Sequence, residues 1–545
     1  MSFFQLVRRE MHGSLPKLVF MSGVGGVSNA CILAAINSGV QDSSSGQKPG
    51  LWAASLFLVA LFLFMKSQQY VTITATAEIE AIIHKVRVRL MDMIRHSELL
   101  ELERVGRARI VASVTSDTAI LTQASNMLCF TVQGAVLIFF VGLYVAYLSL
   151  VTFALTVVIV SGAGFIFHHK NKRLAEQKGE SAAWERRLFD RLIDFLDGFK
   201  EVRLNTARSA DLFDDALQVS KTAANIKIRT QAETFKMIIL TQISMYILLG
   251  AVVFVAPNLS SLGGSSIAKA TTALLFVVGA CFGLVQSIPI ILNANAAADR
   301  IARLESALAA TLIPGAELAA VAPKHFDRIE MHDIVFRYVD KFSDTAFKIG
   351  PIDFSLRSGE LVFITGGNGS GKSTFLRVLS GLYPPDSGEI TLDGRPVNNA
   401  SRDEYRGLMS AIFFDYHLFQ RLYGLPDADP AEIGRLLALF RLTGKTSLTN
   451  GEFSTLDLSG GQRRRLALIV SMLEKRPIMI LDEWTAEQDP EFRRKFYDEL
   501  LPELMRAGAT IVVITHDDRY LDELHLPARR IRMDEGRIVE ERTMG

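Results

Sequence analysis

Gly366-Gly-Asn-Gly-Ser-Gly-Lys-Ser-Thr374 decides how this chain is read. It satisfies G-x-x-x-x-G-K-[ST], with Gly366, Gly371, Lys372 and Ser373 at the fixed positions. The apolar run Leu361-Val-Phe-Ile-Thr365 in front of it reads as a buried strand, and Phe375-Leu-Arg-Val-Leu379 behind it as a helix. Strand, glycine loop and helix in that order form the setting this pattern needs before it counts as a phosphate loop. Glycines let successive backbone N–H groups wrap a polyphosphate, and the helix N-terminus adds the positive end of its dipole. Gly366, Asn368, Gly369, Ser370, Gly371 and Thr374 are the expected cradle. Lys372 is expected to reach the β- and γ-phosphates of ATP, and Ser373 to hold Mg²⁺.

Downstream, Ile478-Met-Ile-Leu-Asp-Glu483 reads as a buried strand ending in two acids. Asp482 suits the Mg²⁺ shell and Glu483 suits polarising an attacking water. A hydrophobic strand ending in Asp-Glu is weak evidence alone. Here it follows Leu458-Ser-Gly-Gly-Gln462 by one short helix, Arg463 to Leu473. Ile511-Val-Val-Ile-Thr-His516 is a further buried strand. Most single histidines are structural, but a strand-end position marks His516 as a contact for the γ-phosphate. Tyr338, in Val335-Phe-Arg-Tyr338, is placed either on adenine or in the core of its strand.

The first half of the chain has a different character. Hydrophobic residues make up 49% of the 545 residues, and the mean hydropathy of +0.24 is high for a soluble protein. Net charge is +1, which gives no electrostatic case for nucleic acid. Cys31, Cys129 and Cys281 each lie in an apolar stretch, so neither a disulfide framework nor a zinc site is indicated. Spans of about 20 apolar residues are expected at Leu18 to Val40, from Leu51 through Ala75, twice within Thr118 to Phe167 with a turn near Leu148-Ser-Leu-Val151, at Met237 to Pro257, and at Ala270 to Ala298, where Pro289 is a candidate kink. Basic residues after the second and fourth spans (Lys85, Arg87, Arg89, Arg95; then His168-His-Lys-Asn-Lys-Arg173) put those long loops, and both termini, in the cytoplasm. Asn126, Gln133, Gln242, Gln286, Asn293 and Asn295 are polar residues within spans, candidates either for a transport cavity or for bonding between helices. Residues 1–306 therefore read as a transmembrane domain with long cytoplasmic extensions. Residues 307–326, rich in alanine with Pro314 and Pro323, read as a linker, and residues 327–545 as a nucleotide-binding domain.

The order Tyr338, Gly366 to Thr374, Leu458-Ser-Gly-Gly-Gln462, Asp482-Glu483, Asp489 and His516 resembles the ATP-binding cassette transporters. Arg104-Val-Gly106 with Thr115-Ser-Asp117, and Asp197-Gly-Phe-Lys-Glu-Val-Arg203, are similar to the cytoplasmic loops of the exporter type. The implied fold is an α-helical six-span transmembrane domain followed by an α/β P-loop nucleotide-binding domain. One cassette and six spans imply a half-transporter that pairs with a second copy. Ser459, Gly460, Gly461 and Gln462 of one copy would then close on the ATP held by Lys372 of the other, with Asp489 nearby.

Asp482-Glu-Trp-Thr-Ala-Glu-Gln-Asp-Pro490 and Phe413-Phe-Asp-Tyr-His-Leu-Phe419 look like the bacterial cyclic-peptide and siderophore exporters, of which the pyoverdine-precursor and syringomycin exporters are members. Where the usual exporter has a glutamine contacting Mg²⁺, Phe414 stands here, and Asp415 is expected to take part of that role. The resemblance implies ATP-driven export of a peptide-like siderophore precursor or related nonribosomal or cyclic peptide across the bacterial inner membrane. ATP and Mg²⁺ are the implied cofactors. Membrane lipid and the cargo are the implied partners, periplasmic or outer-membrane efflux partners are left open, and nucleic acid is not implied. A lipid or multidrug exporter is the near alternative. An ATP-gated channel or regulator is the alternative from another class, though such a protein has no need of Glu483 and His516.

Overall fold

The computed structural model describes residues 3–10, 15–44, 50–259, 264–309, 325–339 and 346–544. Most of the expected linker and the side chains of Asn126 and Cys129 lie outside the described residues. The chain divides into two compact units, one comprising Met1–Met91 and Arg107–Ser306, the other Asp92–Gly106 and Ala307–Gly545. The short segment Asp92–Gly106 thus joins the nucleotide unit.

The first unit is helical because an apolar environment leaves backbone N–H and C=O groups no other partners. Its helices are α1 (Phe3–Glu10), α2 (Leu15–Ser44) and α3 (Leu51–Arg95), then, after α4 (Leu99–Val105) in the second unit, α5 (Arg107–Ala112), α6 (Thr118–Leu148), α7 (Leu150–Asp197), α8 (Phe199–Leu204), α9 (Thr206–Gly250), α10 (Ala256–Leu259) and α11 (Gly264–Ala309). Among the described residues, five helices are long and apolar enough to cross a membrane, and a sixth apolar stretch, Leu150–Ile166, is shorter. The chain breaks at Ser149, where the turn was expected. Ser149 has extended backbone and its side chain caps α7 by accepting from the Thr152 N–H at 3.2 Å. α11 continues through Pro289. Helix α3 alone has 45 residues, about 70 Å at 1.5 Å per residue, more than twice the thickness of a hydrocarbon core.

Packing inside this unit uses small residues and polar bonds. A Cβ at Gly26 of α2 would come 2.3 Å from Val136 Cγ1 of α6, so glycine permits that approach. Several polar span residues serve structure. The Asn295 side chain accepts from the Phe3 N–H at 2.7 Å, and Gln242 donates to the Tyr246 hydroxyl at 3.0 Å. Gln286 is exposed. Gln133 lines a small cavity of about 240 Å³ with Asn29 and Gln68, and Asn293 lines another beside Pro289. At the start of α6, the buried Asp117 carboxylate accepts two bonds from Arg300 of α11, at 2.6 and 3.0 Å. Asp117→Asn is expected to destabilise this unit by about 2 kcal/mol, the usual worth of a hydrogen bond to a charged group. Thermal unfolding of the detergent-solubilised chain measures it.

The second unit is built on two sheets. One is antiparallel: β1 (Arg328–Val339), β2 (Ala346–Arg357), β4 (Ser387–Leu392) and β5 (Arg395–Pro396), in the order β2-β1-β4-β5. The other contains β3 (Leu361–Gly366), β6 (Met409–Ile412), β9 (Ile478–Asp482), β10 (Thr510–Ile514), β11 (Ala528–Asp534) and β12 (Arg537–Met544), in the order β12-β11-β3-β10-β9-β6. The short hairpin β7 (Leu448–Thr449) and β8 (Glu452–Phe453) stands apart. β6, β9, β10, β3 and β11 run parallel, and β9 and β10 are buried at every position. Successive residues of a strand face opposite sides. Leu361, Phe363, Met479, Leu481, Ile511 and Val513 therefore enter one core with Trp484 and Phe496, while Val362, Ile364, Ile478, Ile480, Val512 and Ile514 enter the other with Phe375 and Tyr383. The register pairs Ile514 with both Ile364 and Asp482. The carboxyl ends of β3, β9 and β10 are therefore level, the place where open parallel sheets take their ligands.

Candidate functional site

The phosphate loop follows β3 and leads into α12 (Lys372–Leu379). Gly366 has φ 147°, and a Cβ there would lie 2.2 Å from the Met533 carbonyl oxygen, so only glycine fits. Gly371 adopts φ 96° at the N-cap of α12 and turns the chain into the helix. Lys372 Nζ donates to the carbonyls of Gly366 and Gly367 at 3.0 and 2.9 Å, curling back over its own loop. Burial lowers the pKa of its ammonium, and Glu483 and Asp482 pull it the other way. Asn368, Gly369, Ser370, Gly371, Lys372, Ser373 and Thr374 line a cavity of about 750 Å³ together with Tyr338, Phe347, Asp415, Asp482 and Glu483. Gly366 and His516 border an adjacent polar cavity.

Glu483 is held in a left-handed conformation, φ 50° and ψ 36°, which costs a non-glycine residue on the order of 1–3 kcal/mol. Its N–H donates to the Ile514 carbonyl at 3.1 Å, and Arg464 donates to its own carbonyl. Its carboxylate meets His516 Nε2 at 3.1 Å. The backbone strain was not readable from sequence, since Glu carries no signal for positive φ. Beside it, the Phe414 N–H donates to Asp482 Oδ2 at 3.4 Å, so the backbone of this position, and not its side chain, touches Asp482. The Phe414 ring instead stacks 5.3 Å from the Arg464 guanidinium. Asp415 lines the cavity, and Arg377 Nη2 donates to its Oδ2 at 3.3 Å.

The Leu458-to-Gln462 segment opens helix α13 (Gly460–Leu473). Ser459 caps it by accepting from the Gln462 N–H, and the Gln462 side chain accepts from the Ser459 N–H, a reciprocal capping box. This segment packs on residues 487–489. A Cβ at Gly461 would come 2.7 Å from the Glu487 carbonyl oxygen, and Gln488 Nε2 donates to the Gly461 carbonyl at 3.1 Å. Arg465 donates to Gln488 Oε1 at 2.8 Å and to Asp489 Oδ2 at 2.6 Å, and Asp489 caps the helix Pro490–Lys495. Trp484 is fully buried and its indole N–H donates to the Arg464 carbonyl at 2.8 Å. Ser459, Gly460, Gly461, Gln462 and Asp489 thus form a cluster of their own and do not line the 750 Å³ cavity. The arginines that tie the cluster together were legible as Arg463-Arg-Arg465 after the glycines, but their partners were not.

The ABC transporter family matches residues 349–486. ATP-binding protein SyrD of Pseudomonas syringae pv. syringae is 33% identical across 98% of this chain and 96% of its own length. The chain belongs to the ATP-binding cassette transporters of the exporter type. The ATP-dependent lipid A-core flippase of Burkholderia orbicola is 24% identical over 91% of this chain and 84% of its own. A structure of a bacterial Atm1-family ABC exporter with ATP bound superposes with a TM-score of 0.77 over 98% of this chain and 95% of that one, at 17% identity, which speaks for the shared fold. The protein is an ATP-driven, multi-pass membrane exporter, and its cassette binds nucleotide and couples ATP hydrolysis to transport.

Proposed function

We propose that this transporter moves a peptide-like siderophore precursor, or a related nonribosomal or cyclic peptide, out across the bacterial inner membrane as a homodimer with both termini in the cytoplasm. The observation that carries the cargo class is the near full-length similarity to SyrD, together with the segment from Asp482 to Pro490. In this chain that segment is an anchored unit, with Trp484, Gln488 and Asp489 each bonded to the helix Gly460–Leu473. Within the cassette, Lys372 and the loop amides bind the phosphates, Tyr338 faces adenine, Glu483 orients the attacking water and His516 holds Glu483. Ser459, Gly460, Gly461, Gln462 and Asp489 act on the nucleotide of the second copy.

Mg²⁺ fits the residues beside the phosphate loop. Asp482 Oδ1 is buried without a hydrogen-bond partner among the described residues. Burial raises the Asp482 carboxyl above the usual range, and the Ser373 hydroxyl and Phe414 N–H offset this only in part. A desolvated carboxylate of this kind is stabilised by a cation. Ser373 and Asp482 would hold the metal and Asp415 would approach it, and the bound ion would neutralise phosphate charge.

The second reading, lipid export, is favoured by the flippase similarity over 91% of this chain. ATPase activity of the full chain in lipid nanodiscs decides between them. Stimulation of turnover by an acylated siderophore-precursor peptide, and none by lipid A, is the expected result. Stimulation by lipid A alone would replace the peptide reading.

A further inference from the structure

Helix α4 is attached to the nucleotide unit at two points. Its N-cap residue, Glu98, is nearly buried between Arg402 Nη1 at 3.2 Å and Arg406 Nη2 at 2.5 Å. Glu103, further along the helix, accepts from the Tyr383 hydroxyl at 2.7 Å. The same hydroxyl accepts from Arg377 Nη1 at 3.3 Å, and the Arg377 guanidinium lies 5.6 Å from the Tyr383 ring centre. The opposite end of that guanidinium donates to Asp415 Oδ2. Tyr383 cannot drift, because its buried ring stacks on Phe336 at 5.1 Å. A phenol that donates to a carboxylate becomes a better acceptor, so Glu103 strengthens the hold of Tyr383 on Arg377.

We infer that Arg377 is a positioning residue that restrains Asp415, and that Glu103 of α4 governs this restraint through Tyr383. This rests on the reading of Asp415 as the acid on the metal side of the cavity. Three elements distant in sequence converge here, and each link is a charged or charge-assisted contact. Arg377 occupies an oxygen of Asp415 and offsets its charge. When α4 withdraws Glu103, Tyr383 loses its acceptor, Arg377 loosens, and Asp415 becomes free to face Asp482 and the metal. The helix that joins the membrane unit thereby sets how strongly the nucleotide site holds its cation.

The test uses the full chain in nanodiscs, with ATP and Mn²⁺ as a spectroscopic substitute for Mg²⁺, in the Glu483→Gln background so that nucleotide persists. Bound Mn²⁺ is read by electron paramagnetic resonance, and backbone hydrogen exchange is read over residues 413–419. Arg377→Gln, Tyr383→Phe and Glu103→Gln should each tighten Mn²⁺ binding, by about two- to thirtyfold, and speed exchange in that segment. Adding Asp415→Asn should abolish the tightening. Tyr383→Phe keeps the stack on Phe336, so its effect is not one of misfolding. If Arg377→Gln tightens binding while Tyr383→Phe and Glu103→Gln leave it and the exchange unchanged, the link to α4 is overturned. If Asp415→Asn alone leaves Mn²⁺ affinity unchanged, the metal-side reading of Asp415 fails and the inference falls with it.

Discussion

Glu483→Gln is expected to slow ATP turnover by roughly 10²–10⁴-fold, the range for removing a positioned general base, while nucleotide binding persists. The amide keeps the size of the carboxylate and loses only its charge and basicity. The features that fix residue 483 belong to the backbone: its left-handed φ, its N–H bond to the Ile514 carbonyl and the Arg464 contact to its own carbonyl. All three survive the substitution, so the loss reports chemistry and not geometry. His516 retains an acceptor at position 483 through the amide oxygen. Steady-state hydrolysis beside equilibrium binding of a fluorescent ATP analogue makes the comparison. A variant that hydrolyses within severalfold of wild type would show that another group activates the water.

Trp484→Ala is expected to destabilise the nucleotide unit by about 3–5 kcal/mol, the usual cost of truncating a buried aromatic. Trp484 packs 4.8 Å from the Phe496 ring and 6.3 Å from Phe492, in the core that also receives Leu481 and Val513. Its indole N–H adds a second bond to the Arg464 carbonyl, which lies within the helix Gly460–Leu473, so truncation also removes a buried hydrogen bond. Trp484→Phe separates the two contributions: it restores most of the volume and none of the hydrogen bond, and should cost about 1–3 kcal/mol. Calorimetric unfolding of the solubilised chain measures both. Because the indole ties the helix Gly460–Leu473 to the turn that carries Glu483, the Phe variant should also lose turnover out of proportion to its stability. Equal stability of the Ala variant and wild type would show that the core closes over the gap.

What was legible in the sequence follows from how local each interaction is. The phosphate loop and the strand ending in Asp482 each depend on residues a few positions apart, so their spacing carries their geometry, whereas the helix expected from Arg463 begins at Gly460, capped by Ser459. The spans were legible because lipid enforces long apolar runs, and the break at Ser149 because polar backbone must be satisfied where such runs end. Contacts between remote segments left no such trace. Arg377 meets Asp415 across 38 positions and Tyr383 meets Glu103 across 280. Nothing near Asp415 in sequence points to its arginine, and the position of Glu98 between two spans points to the membrane half, although Asp92–Gly106 is compact with the cassette. The polar span residues show the same limit: Asn295 and Gln242 proved to be bonded within the helical unit, a choice that depends on neighbours no single helix reveals.

Helix α3 contains neither glycine nor proline and shows no π-turn over its 45 residues. Those are the usual places where a helix yields. It therefore behaves as a stiff rod with no internal joint. A tilt of about 5° at one end of a rod roughly 70 Å long carries the other end through about 6 Å. His96 to Glu98 lead from that end directly into α4. A helix of this composition would convert a slight tilt at one end into a displacement at the other longer than any of the hydrogen bonds that hold Glu98 and Glu103, with no joint along its length to absorb it.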